Sequence, residues 1–119
     1  MNKAKVITEL IGESFKDVYN DNNDRLVFIG DKSYAFLHRQ DCCESVVIED
    51  ICGDLKDLID SPILVADETS KYENEDSDVQ WTFYNFATLK GHVNVRWRGE
   101  SHYYSTSVHF ESIPWHATK

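Results

Sequence analysis

The heptad His38-Arg39-Gln40-Asp41-Cys42-Cys43-Glu44 holds an imidazole, two adjacent thiols and two carboxylates where a turn would ordinarily lie. Three arrangements use such groups. A thiolate nucleophile needs a base, and His38 beside Cys42 or Cys43 supplies one, with Asp41 or Glu44 to orient the ring. Zinc takes thiolates and imidazole, so His38, Cys42, Cys43 and Cys52 form a candidate ligand set. A packed corner uses cysteine as a small buried hydrophobe and leaves the acids in water.

Physical arguments favour the packed corner. Adjacent cysteines depart from the usual Cys-x2–4-Cys ligand spacing, and successive side chains on a strand point apart. Asp41 and Glu44 flank the thiols, and nearby negative charge disfavours the thiolate. Three cysteines cannot all pair, and joining the two neighbours would close a strained ring. Cys42, Cys43 and Cys52 are therefore expected to be reduced, metal-free and structural, with no cofactor and no catalytic residue assigned. Elsewhere there is no Gly-x-Ser-x-Gly elbow, phosphate loop or His-Glu-x-x-His. Asn74, Asp76 and Asp78 alternate as calcium ligands do, but Val79 replaces the turn glycine and Asn85 the closing acid, which excludes a standard EF-hand.

Charge supplies the second signal. The 119 residues carry a net charge of −9, unevenly spread. Residues 1–40 balance, residues 41–78 set thirteen acids against Lys56 and Lys71, and residues 79–119 are basic through Lys90, Arg96, Arg98 and Lys119. A field of this kind repels nucleic acid over the acidic middle and favours a basic partner there. Asp41, Glu44, Glu49, Asp50, Asp54 and Asp57 are expected to form one negative surface that meets a basic protein. No run approaches the roughly 18 apolar residues of a membrane helix. Glu9 interrupts any early signal core, so a cytoplasmic protein without a membrane or direct nucleic-acid partner is expected.

These residues must be positioned by a small scaffold, a single domain over residues 1–119. Ile7, Leu10 and Ile11 have helical spacing, with Gly12 as a stop. Residues 15–19, 25–29 and 33–37, separated by Asn/Asp-rich and Gly-Asp-Lys turns, read as a three-strand meander. Val46-Val47-Ile48 reads as a strand, 54–59 as a short helix capped by Asp54, 62–66 as a strand and 67–78 as a polar loop. A hairpin over Lys90-Gly91 would pair Phe86 with Val95 and Tyr84 with Trp97; Trp81 is counted with Tyr84, Phe86, Val93, Val95, Trp97, Tyr104, Val108 and Phe110 in one core, although this register puts it on the opposite face from Tyr84. A second hairpin would pair Trp97 with Tyr104, Val93 with Val108 and, on the polar face, Arg98 with Tyr103, Arg96 with Ser105 and His92 with His109. The class is α+β: mostly antiparallel sheet, as a meander or partly open barrel, with one or two short helices.

Several of these segments carry a likeness. Leu10-Ile11-Gly12, Asp41-Cys42-Cys43-Glu44, Glu49-Asp50-Ile51, Gly53-Asp54-Leu55, Trp81-Thr82-Phe83-Tyr84, Arg96-Trp97, Gly99-Glu100-Ser101 and Tyr103-Tyr104-Ser105 resemble a family of small uncharacterised proteins encoded mainly in bacteriophage and prophage genomes. The likeness implies a phage setting and transfers no catalytic residue. With the charge pattern, it leads to the expectation of an accessory protein that binds and inhibits a host protein. Such a role would be anti-defence, for example anti-CRISPR, or inhibition of a host nucleic-acid enzyme. The alternative is a Cys/His-dependent or zinc-binding hydrolase-like enzyme centred on residues 38–52, or a polar site drawn from His38, Cys42, Cys43, His92, Arg96, Arg98 and His109.

Overall fold

Period-two burial organises most of the chain into strands. The computed structural model describes residues 7–38, 44–74, 78–101 and 106–113. Among them are β1 (Phe15–Asp21), β2 (Arg25–Gly30), β3 (Ser33–Leu37), β4 (Ser45–Cys52), β5 (Val65–Tyr72), β6 (Val79–Thr88), β7 (Gly91–Glu100) and β8 (His109–Ile113). They form two four-stranded sheets in the orders β1-β2-β3-β8 and β4-β7-β6-β5, with every named strand pair antiparallel. The meander expected over 15–37 is present. Asn22 and Asn23 make its first turn with positive φ of 55° and 61°, a conformation their short polar side chains tolerate. The Asn23 carbonyl accepts from Ile48 N at 2.7 Å and so ties this turn to β4 of the other sheet.

The sheets share one hydrophobic core. Phe28 and Phe36 from the first sheet meet Phe86 from the second at centroid separations of 5.3 and 5.6 Å, and Phe36 meets Tyr84 at 4.7 Å. Aromatic pairs of this kind add about 0.5 to 1.5 kcal/mol each beyond the area they bury. Val93, Val95 and Trp97 line the same interior from β7 and are fully or almost fully buried.

Five expectations need correction. The two short helices are single 3-10 turns, Ile7–Leu10 and Leu55–Leu58, and no α-helix occurs among the described residues, so the protein is largely all-β. The first turn is stopped by Gly12 at φ +90° and by the bridge between Ile11 and Ile63. Asp54 does cap the second turn, accepting from Lys56 N at 2.9 Å, but the chain leaves at Ile59 to bridge Phe15. One turn is all that nucleation achieves before tertiary bridges take over. Among the described residues the strands form two four-stranded layers, not a closed barrel.

Residues 67–72, the first half of the segment read as a polar loop, belong to strand β5. Only Ala66 is buried along it, so no apolar alternation marks it; it is held by its ladder to β6. The first hairpin turns over Leu89-Lys90, so Tyr84 opposes Val95 and Thr82 opposes Trp97. That is a slip of two residues, which leaves every side chain on its expected face. Finally, β8 does not return to β7: it pairs with β3, placing His109 opposite Leu37, while β4 occupies the free edge of β7. The expected pairs His92–His109 and Val93–Val108 are therefore not formed, and on that flank of β7 Asp50, Ile51 and Cys52 oppose Arg96, Val95 and Asn94. Tyr103, Tyr104 and Ser105 lie outside the described residues.

Candidate functional site

The register of the second sheet brings its outward-facing side chains into three rows. Val47, Arg98, Trp81 and Lys71 run across β4, β7, β6 and β5; Asp50, Arg96, Phe83 and Thr69 form the next row; Cys52, Asn94, Asn85 and Asp67 the third. Alternation places these residues outward because their neighbours Thr82, Tyr84, Val95 and Trp97 fill the core. Trp81 lies under two guanidinium groups, Arg96 at 5.3 Å and Arg98 at 6.0 Å from the ring centroid, and Lys71 lies 6.0 Å from the Phe83 centroid. The Trp81 indole N–H donates to Glu73 Oε1 at 3.4 Å. Beside this cluster is a depression of about 270 Å3 lined by Asp50, Cys52, Phe83, Asn85, Asn94 and Arg96.

The acids expected to form one surface are divided among separate tasks. Glu44 is turned inward, its side chain 1% exposed and 3.3 Å from His38 Nε2. Asp50 faces Arg96 at 3.7 Å, an exposed pair worth about 0 to 1 kcal/mol. Asp54 caps the second 3-10 turn, and Asp57 sits against Gly91, where a side chain would collide with its carboxylate. Glu49 and Asp54 remain on the surface. Asp41 lies outside the described residues. The acidic middle of the chain supplies both edges of the second sheet, β4 and β5, whereas the basic last third supplies its centre, β6 and β7. A dipole along the sequence becomes acid, base, acid across one sheet.

The alternative polar site is split as well. His38 Nδ1 lies 2.7 Å from the Ser107 carbonyl, which can only accept, so Nδ1 carries a proton and Nε2 faces Glu44. His109 stacks on His38 with centroids 6.0 Å apart. Arg96, Arg98 and His92 lie on the other sheet. Cys42 and Cys43 are outside the described residues. Cys52 is a free thiol, exposed on the outer face 3.7 Å from Asp50 Oδ2, and so does not fill a corner as expected. Among the described residues no group of three His, Cys, Asp or Glu side chains is placed to hold a metal ion.

The family described as a domain of unknown function, DUF7448, matches residues 5–110, which include the whole outer face. The chain belongs to that family. No curated protein and no solved structure matches the chain. Membership in the DUF7448 family therefore leaves the chemistry of the site to be argued from its residues. Of these, Lys71 escaped sequence reasoning because the strand that carries it has no apolar period. Trp81, counted with the core aromatics, instead faces outward, on the side that alternation with the buried Tyr84 indicates.

Proposed function

We propose that this protein acts by binding another protein rather than by catalysis, and that it inhibits a host protein in the phage setting its motifs suggest. The observation that carries this reading is Trp81, held on an outward sheet face by Arg96 and Arg98. Tryptophan and arginine dominate the energetics of protein interfaces, and a sheet face fixes them rigidly before the partner arrives. Acidic margins flank the face, with Glu49 and Asp54 on one side and Asp67 and Glu73 on the other. With a net charge of −9 they attract a basic partner surface and set its orientation, an effect that salt weakens.

The experiment is affinity capture from host lysate with wild type, Trp81→Ala, and a pooled Glu49→Lys, Asp54→Lys and Asp67→Lys variant. A partner enriched by wild type should be lost with Trp81→Ala and weakened by the charge reversals. Capture profiles that are the same for all three proteins overturn the proposal.

A further inference from the structure

The register of β4, β7 and β6 arranges the depression on the outer face as two rows of three side chains. Asp50, Arg96 and Phe83 form one row, and Cys52, Asn94 and Asn85 the other; Phe83 and Asn85 are half-buried and the other four exposed. Arg96 Nη2 and Asp50 Oδ2 lie 3.7 Å apart, beyond hydrogen-bond length. The pair therefore orients both heads without using up their donors and acceptors. Trp81 steadies the guanidinium, 5.3 Å from its ring centroid, and the Cys52 thiol donates to Asp50 at 3.7 Å. Asn85 and Asn94 face each other across β6 and β7, and among the described residues neither side chain makes a hydrogen bond.

The ionic lining is balanced, one carboxylate and one guanidinium, with two amides beside them. An anion would gain Arg96 but meet Asp50, and a cation the reverse. A neutral group with an acceptor beside a donor satisfies both at once. A primary carboxamide is such a group: its oxygen accepts from Arg96, its NH2 donates to Asp50, and Asn94 or Asn85 completes the pairing. The volume, about 270 Å3, falls below the about 300 to 1,000 Å3 of small-molecule sites and suits one side chain. A nucleobase also sets an acceptor beside a donor, but its phosphates would meet Glu49, Asp67 and a net charge of −9. We propose that this depression takes the carboxamide of a glutamine or asparagine side chain offered by the partner protein, with the alkyl stem beside Phe83. The proposal rests on the reading of this face as a protein interface and names the chemistry that the partner brings to it.

The test is a titration of isotope-labelled protein with butyramide, butyrate, butylammonium, uridine, capped Gly-Gln-Gly and capped Gly-Glu-Gly. Saturable amide shifts are expected at Asp50, Phe83, Asn85, Asn94 and Arg96 with butyramide and capped Gly-Gln-Gly, and weaker responses with the other four probes. Asn94→Ala should weaken butyramide binding about twofold to tenfold, the range of one neutral hydrogen bond. Asp50→Ala should turn the preference toward butyrate, because Arg96 is then unbalanced, a change that a purely structural role for Asp50 would not produce. Both positions are exposed, so neither variant removes part of the core. A wild-type preference for uridine or for either ion, butyramide binding without binding of capped Gly-Gln-Gly, no saturable shift, or an unchanged preference in Asp50→Ala overturns the proposal. The titration needs no partner, so its failure is distinct from failure of the interface reading, which capture with Trp81→Ala decides.

Discussion

His38 Nε2 and Glu44 Oε1 lie 3.3 Å apart with their side chains only 5% and 1% exposed. Because Nδ1 is committed to the Ser107 carbonyl, the imidazole links the end of β3 to the start of β4 and to the segment before β8. Removing one member of a buried pair strands the other, a loss of about 3 to 5 kcal/mol. His38→Ala is therefore expected to lower unfolding free energy by about that amount in urea titrations. Adding Glu44→Gln should recover part of the loss, since a neutral amide is less costly to bury. Purely additive losses would show that the two side chains are not coupled.

Trp97 is fully buried, and Trp81 is not. Truncation of a buried aromatic costs about 3 to 5 kcal/mol, whereas Trp81 forfeits exposed cation–π contacts worth about 0.5 to 1 kcal/mol each. Thermal melts should show Trp97→Ala far below wild type and Trp81→Ala close to it. The reverse order would mean that the sheet faces the other way.

Two glycines share a left-handed conformation but not the space around it. Gly12 has φ +90° with nothing within 4 Å of a built Cβ, whereas at Gly53, φ +107°, that atom would lie 2.5 Å from the His92 carbonyl oxygen. Gly12→Ala should cost about 1 to 2 kcal/mol, the conformational term alone. Gly53→Ala must also displace backbone at β7 and should cost clearly more. Comparable denaturation midpoints for the two variants would contradict this.

Tyr84 makes stability sensitive to alkali. Its folded pKa is raised by burial and by Glu68, while the unfolded chain ionises near pH 10. Above that pH the unfolded state loses a proton that the native state keeps. Unfolding free energy should then fall by up to about 1.4 kcal/mol per pH unit from this residue. The contribution is fully present below pH 10. Tyr84→Phe should flatten the slope measured between pH 10 and 11.

Local pattern by itself determined the antiparallel character, the first meander, the Asp54 cap and the inward faces of β6 and β7. Turn residues and period-two alternation are short-range signals, and a two-residue register slip does not change which face a side chain occupies. Sequence alone also determined that the charge is divided along the chain. Tertiary structure decided which strand lies beside which: β4 rather than β8 borders β7, and β5 is a strand although its side chains have no apolar period. Edge strands are held by backbone hydrogen bonds, which carry no side-chain signature, and pairing between distant strands depends on the shape of the finished core. That choice separated His109 from His92, turned Glu44 inward, and brought Lys71 into the row with Trp81 and Arg98.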